Sequence, residues 1–207
     1  MSATKLSIYN GALRLLGERK TTLTENRPAR HYLDDAWDDG LVDAALEEGY
    51  WSFATRTVEI AASTSVSPDF GFQYAFEKPD DYIKLAGIYS DETCLNTVHR
   101  YSDEGGYFFC DFDVFYLQYV SNDVLFGNNM ALWPRSFQKL AQAMLADEVK
   151  ELIQGNDMKF QTVKAALKEA KTQARSKDAM NRPTRFQPTG TWVNSRMTSR
   201  VNVDEYR

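Results

Sequence analysis

Residues 133–179 constrain what this chain can fold into more than any other stretch. Trp133-Pro134 opens a helical pattern in which Phe137, Leu140, Met144, Leu145, Val149 and Leu152 mark one face, and Gly155-Asn156 stops it. A further helix follows to about Ala179, with Phe160, Val163, Leu167, Ala170 and Ala174 inward. At 1.5 Å per residue, two helices of about 20 residues joined by a short turn make an antiparallel helical hairpin roughly 30 Å long.

Two more amphipathic stretches precede it. Leu6, Tyr9, Leu13 and Leu16 recur at helical spacing and Gly17 supplies a stop, which predicts a first helix over 4–16. Pro28 sits where a second helix begins, and the pattern predicts that helix over 29–48. Leu33, Trp37, Leu41, Ala44 and Ala45 form its apolar face, while Gly40 weakens it and Gly49 ends it. Asp35, Asp39, Asp43 and Glu47 fall at every fourth position on another face. Like charges at that spacing cost an isolated helix roughly 0.2–0.5 kcal/mol per pair. The stripe is an ordinary solvated face, or a surface offset by basic residues of an adjacent subunit, or an acidic wall that keeps DNA from sticking as it passes.

From 52 to about 120 the texture changes to short β-favouring runs containing Phe53, Val58, Ile60, Tyr82, Ile83, Ile88, Phe108, Val114, Tyr116, Leu117 and Val120. Pro68, Pro79 and paired acidic turns separate them. The segment YFFCDFDVFYLQYV reads as a hairpin turning near 111–113, so that Phe109, Asp111, Phe112 and Asp113 mark its tip. Its aromatics fall on both faces, as in a strand sandwiched within the protein or covered by a neighbouring chain. The expected fold class is mainly α with a β-rich insertion (α+β): a four-helix core, a central β-hairpin region and an extended carboxy-terminal arm.

The arm is residues 182–207, appended to a helical domain of residues 1–181. It has no helical period, yet keeps Phe186, Trp192, Val193, Met197, Val201 and Tyr206. Alone in water such a segment buries too little surface to stay ordered. The net charge of −5 is uneven: residues 171–207 hold eight Lys/Arg against three Asp/Glu, residues 1–170 sixteen against twenty-six. Such an asymmetry suits a basic tail that meets an acidic surface or a phosphate backbone. Arginine favours bidentate contacts with carboxylates, and aromatic anchors dominate interface affinity. Arg185, Phe186, Trp192, Arg196, Arg200 and Tyr206 are therefore the expected contacts of the arm.

The sequence shows no catalytic constellation. Asp34 and Asp38 have no accompanying Lys-Glu motif or His pair for metal-dependent cleavage. His31, His99, Cys94 and Cys110 lack zinc-site spacing, and neither a P-loop nor a nucleophile elbow occurs. No cofactor, metal or catalytic residue is expected. Two cysteines and no secretory h-region imply free thiols in a reducing cytoplasm, and no apolar run approaches the roughly 20 residues a membrane span needs.

The opening KLSIYNGALRLLGERKTTLTENRPARHYLDDAWDDGLVDAALEEGYWSFATRTVEI resembles the amino-terminal signature of the head-to-tail adaptor family of tailed bacteriophages, often called tail tubular protein A. The run LWPRSFQKLAQAMLADEVKELI and the final helix ending KDAMNRP are similar to the same family, so that the likeness covers roughly three quarters of the chain; residues 64–110 depart most from its pattern. The resemblance implies a non-enzymatic virion protein at the head-tail junction, assembled in the bacterial host cytoplasm. It implies a homo-oligomeric ring, of 12 copies in the family, docked under the portal protein through the arm. The opposite face would receive a tail nozzle or tube protein, and genomic DNA would pass through the channel without sequence-specific binding. The alternative from the basic arm is a nucleic-acid-binding module of the packaging machinery.

Overall fold

A computed structural model describes residues 3–22, 24–69, 71–153 and 157–181. Along them run α1 (Lys5–Leu16), α2 (Pro28–Ala36), a π turn (Trp37–Leu41), α3 (Val42–Glu47), β1 (Thr55–Ala61), β2 (Tyr74–Glu77), β3 (Tyr82–Tyr89), β4 (Ser102–Glu104), β5 (Tyr107–Cys110), β6 (Val114–Ser121), α4 (Arg135–Ile153) and α5 (Asp157–Asn181). The fold is α+β, with helices at both ends of the described chain and two small antiparallel sheets between them.

The first helix forms as its sequence predicts. Thr4 caps α1, its Oγ1 accepting from Ser7 N at 3.2 Å while Ser7 Oγ accepts from Thr4 N at 3.0 Å. Gly17 closes the helix in the left-handed conformation. Ile8, Tyr9, Ala12, Leu13 and Leu16 are buried against α4 and α5.

The single helix expected over 29–48 is instead three pieces. Gly40 adopts φ +97°, a conformation that breaks α-helical hydrogen bonding and that a residue with a Cβ rarely takes. The π turn inserts one residue, so the buried positions step from Ala36 to Leu41 before Val42, Ala45 and Leu46. Ala44, expected inward, is exposed as a result. Trp51 follows and is buried, its Nε1 donating to both Ala45 O and Leu46 O at 3.0 Å. Leu46 O also accepts from Gly49 N at 3.4 Å, so the indole adds a second donor at the end of α3.

Helices α4 and α5 pack along one another and, with α1 to α3, enclose the larger core. Phe137, Leu140, Leu145 and Val149 are buried as expected, whereas Leu152 is 62% exposed near the end of α4. Gly155-Asn156, the expected stop, lies outside the described residues. Trp37, Trp51, Phe53, Trp133 and Phe137 form one continuous aromatic cluster, with ring centroids 4.8–6.3 Å apart. Much of the chain's 13% aromatic content thus serves the core.

The strands form two sheets, in the order β1-β6-β3 and β2-β5-β4. This overturns the expected hairpin over 107–120: β5 pairs with β2 and β4, β6 with β1 and β3, and residues 111–113 are a corner between sheets. The true two-residue hairpin joins β4 to β5 through Gly105-Gly106, both at positive φ, as a type I′ turn requires. Central position explains the apolarity of β6. Phe115, Leu117 and Tyr119 bury on the side of Phe76, Ile88, Phe108 and Cys110, while Val120 joins the helical core.

Candidate subunit-contact surfaces

Arg185, Phe186, Trp192, Arg196, Arg200 and Tyr206 lie outside the described residues; the segment that precedes them is well anchored. On α5, Lys171 Nζ pairs with Glu48 Oε1 at 2.6 Å, and Arg175 donates from Nε to Glu48 O at 2.7 Å while also pairing with the Glu48 carboxylate. One turn on, Asp178 is buried and accepts from Ser52 N at 2.9 Å and Ser52 Oγ at 2.6 Å. Between these contacts opens a hollow of about 410 Å³ lined by Tyr50, Trp51, Lys84, Arg175 and Asp178. Lys84 Nζ donates to Glu47 O at 2.9 Å and lies 4.7 Å from the centre of the exposed Tyr50 ring. Sequence reasoning missed this junction, because Glu48 and Arg175 are 127 positions apart.

The acidic stripe is not the regular row its spacing predicts. Gly40 falls between Asp39 and Asp43 and rotates the second half of the stripe away. Asp35, Asp39 and Glu47 are exposed, while Asp43 is half-buried and accepts from Asn122 Nδ2 at 3.2 Å. A carboxylate of α4 joins the first half instead. Glu148 is pushed above the ordinary glutamate value by partial burial of its carboxyl, then by the charges of Asp39 and Asp147. Asp34 on α2 and Asp38 on the π turn are paired with Lys5, and Asp34 also with Arg30.

At the corner between sheets, Asp111 pairs with Arg100 at 3.0 Å, and Phe112 is exposed. Asp113 O accepts from Ala62 N at 3.0 Å, and Phe109 packs beside Tyr107. Phe109, Asp111, Phe112 and Asp113 thus mark a corner between sheets and not the tip of the expected hairpin.

Two further surfaces were not foreseen. One is the loop after β6, where Val124 and Leu125 stay 72% and 71% exposed although hydrogen bonds hold the loop around them. Asp123 Oδ1 accepts from Leu125 N at 2.8 Å, Ser121 O from Gly127 N at 3.1 Å, and Gly127 O from Trp133 Nε1 at 2.7 Å. The other is a basic hollow of about 230 Å³ between α1 and the start of α4, lined by Arg14, Lys20, Arg135 and Lys139 together with Gln138 and Gln142. Among the described residues, no group of three or more His, Cys, Asp or Glu is placed to hold a metal, and no helix is long and apolar enough to cross a membrane. His31 Nε2 lies 2.7 Å from Asn26 Oδ1, and Cys110 is a buried free thiol.

Fold and surfaces together define an α+β chain whose helical frame presents separate acidic, basic and apolar patches. The chain matches no family model and no curated protein.

Proposed function

We propose that this chain is a structural virion subunit: a ring-forming head-to-tail adaptor that docks under the portal protein, extends the DNA channel and seats a tail nozzle or tube. The observation that carries this reading is the loop after β6. It holds Val124 and Leu125 in water within a hydrogen-bonded loop, an arrangement that gains free energy when an apolar surface of another subunit covers them. The likeness of the amino-terminal block and the Trp133-Pro134 helix start to adaptor sequences supports the same reading. So does the anchoring of α5 through Glu48 and Ser52, which gives the arm a fixed base. Twenty-six residues follow Asn181, and fully extended they span at most roughly 90 Å. That is enough to reach across a neighbouring subunit onto the portal.

In this reading Arg185, Phe186, Trp192, Arg196, Arg200 and Tyr206 contact portal or neighbour, and DNA passes without sequence-specific contact. The test mixes purified portal rings with the full chain and with a chain ending at Asn181, followed by sedimentation and electron cryo-microscopy. The full chain is expected to add a ring beneath the portal. The shortened chain should keep its circular dichroism spectrum and stay free. Normal docking by the shortened chain, or no docking by the full chain, overturns the proposal. Salt-dependent retention of duplex DNA by the isolated full chain would favour the packaging-module reading instead.

A further inference from the structure

We infer that the basic hollow between α1 and α4 receives the acidic α2–α4 surface of a second copy of this chain, so that subunits join head to tail. The inference rests on the ring reading above and names the surfaces that form the ring. Among the described residues, none of the Arg14, Lys20, Arg135 or Lys139 side chains holds a hydrogen bond or an ion pair, and all four are exposed around one concavity. Among the described residues, no carboxylate lines it. Cations gathered without a counter-charge repel one another, and a surface of this kind is completed by an acidic partner.

The matching surface is on the same molecule but out of its own reach. Lys139 and Glu148 are nine residues apart on the continuous helix α4, which at 100° per residue puts them on opposite sides of it. The π turn that carries Asp39 packs against α4, which carries Glu148; Asp147 beside it is paired with Lys150 at 2.5 Å, and Asp35 lies exposed one turn before Asp39. Among the described residues, Asp35, Asp39 and Glu148 have no basic partner. A molecule with complementary patches on opposite sides cannot satisfy them within one subunit or in a two-fold dimer made of a single patch. It satisfies them in a heterologous contact, which closes into a ring when the rotation permits.

A phosphate backbone is the competing occupant, and the surroundings disfavour it. Residues 1–170 carry ten more acidic than basic residues, so an approaching duplex meets net repulsion around the hollow. A carboxylate cluster on a folded helix presents charge of the same sign at far lower density. Single exposed ion pairs contribute little, so the contact depends on the several pairs acting together and weakens with salt.

The full chain, concentrated to the millimolar range in low salt, is treated with a carbodiimide, which joins amines to carboxylates in direct contact. Intermolecular links from Lys20 or Lys139 to Asp35, Asp39 or Glu148 are expected in peptide mass spectra. A chain with Arg14→Glu and Lys139→Glu should lose at least tenfold of the cross-linked dimer, as should one with Asp39→Lys and Glu148→Lys. Mixing these two variants should restore association, because each then offers the other a complementary surface. All four positions are exposed, so unfolding midpoints should not move. Absence of these links in the wild-type chain, cross-linking in either variant undiminished from that of the wild type, or failure of the mixture to recover overturns the inference. Duplex DNA retained by the wild-type chain and released by the Arg14→Glu, Lys139→Glu variant overturns it in favour of phosphate. Rings that form on portal without these links would sink the inference and leave the adaptor reading standing. Links of the expected kind with no ring on portal would do the reverse.

Discussion

Asp81 stands at the start of β3 and ties together strands remote in sequence. It accepts from Arg56 Nη1 on β1 at 2.8 Å, from Tyr119 OH on β6 at 2.9 Å, and from Ser121 Oγ. Burial alone would raise its carboxyl, but the hydrogen bonds from Ser121, Arg56 and Tyr119 outweigh that and hold it below the ordinary aspartate value. The same contact, after burial, pushes the Tyr119 hydroxyl well above its usual value. A carboxyl depressed in the fold stabilises it fully above the unfolded value of about 3.9, and that stability is lost as pH falls through the folded value. Asp81→Asn should therefore lower the unfolding free energy by about 2 kcal/mol at pH 7, in the range for hydrogen bonds to a charged group. Urea titrations at pH 7, 5 and 3 should show the gap between variant and wild type constant down to pH 5 and narrowing by pH 3. A gap independent of pH would mean that the charge contributes nothing. In the sequence Asp81 is half of an acidic pair after Pro79, legible as a turn and nothing more. Its partners lie 25 to 40 residues away, and no local pattern announces them.

At the scale of elements, what could be read depended on whether the cause was local. Helix α1 was legible from start to stop because Thr4, the apolar period and Gly17 all act within one turn of the residues they govern. Helices α4 and α5 were legible because a period sustained over several turns has few competing explanations. The second helix failed at Gly40, where the spacing continues through but the backbone does not. A glycine in a helical pattern signals either a modest loss of propensity or a left-handed break, and sequence does not separate these. At φ +97° with open space around its Cα, Gly40 owes its identity to backbone conformation and not to packing. Gly40→Ala should thus cost about 1–2 kcal/mol of strain and lower the unfolding midpoint by roughly 2–8 °C. An alanine variant as stable as wild type, with Asp43 still bonded to Asn122, would show the break to be free of strain. The sheets failed for a different reason. Residues 107–120 look like a hairpin because two β-favouring runs flank an acidic turn, and nothing local distinguishes a turn that reverses the chain from a corner that passes it to another sheet. Gly105-Gly106 is the stronger hairpin signal, because two glycines supply the positive φ at both positions of a two-residue turn.

For the molecule as a whole, the decisive quantity is the difference between what the fold needs and what the surface displays. The contact surfaces were the least legible part of the chain. The basic hollow is built from α1, the connection after it and α4, and the acidic surface from α2, the π turn and α4, so each exists only once the helices have packed. Spacing did find Asp35 and Asp39, but Glu148 joins them from more than a hundred residues away. The loop after β6 separates folding from assembly most cleanly. Its geometry comes from backbone and buried groups: Asp123 capping Leu125 N, Gly127 bonded to Ser121 and Trp133, and Asn122 reaching Asp43. The Val124 and Leu125 side chains add little to any of these, being more than two-thirds in water. Replacing both by aspartate removes little buried area, so the stability change should stay within about 0.5 kcal/mol and the unfolding midpoint within roughly 2 °C. Joining a ring on portal should suffer far more, because each apolar group that becomes covered contributes on the order of 1–2 kcal/mol and each aspartate must be desolvated. Sedimentation of the Val124→Asp, Leu125→Asp chain with portal is expected to show monomer where wild type shows assembled ring. Unchanged assembly would remove this loop from the contacts and with it the principal structural support for the adaptor reading. A fall in stability equal to the loss of assembly would instead assign both side chains to the fold.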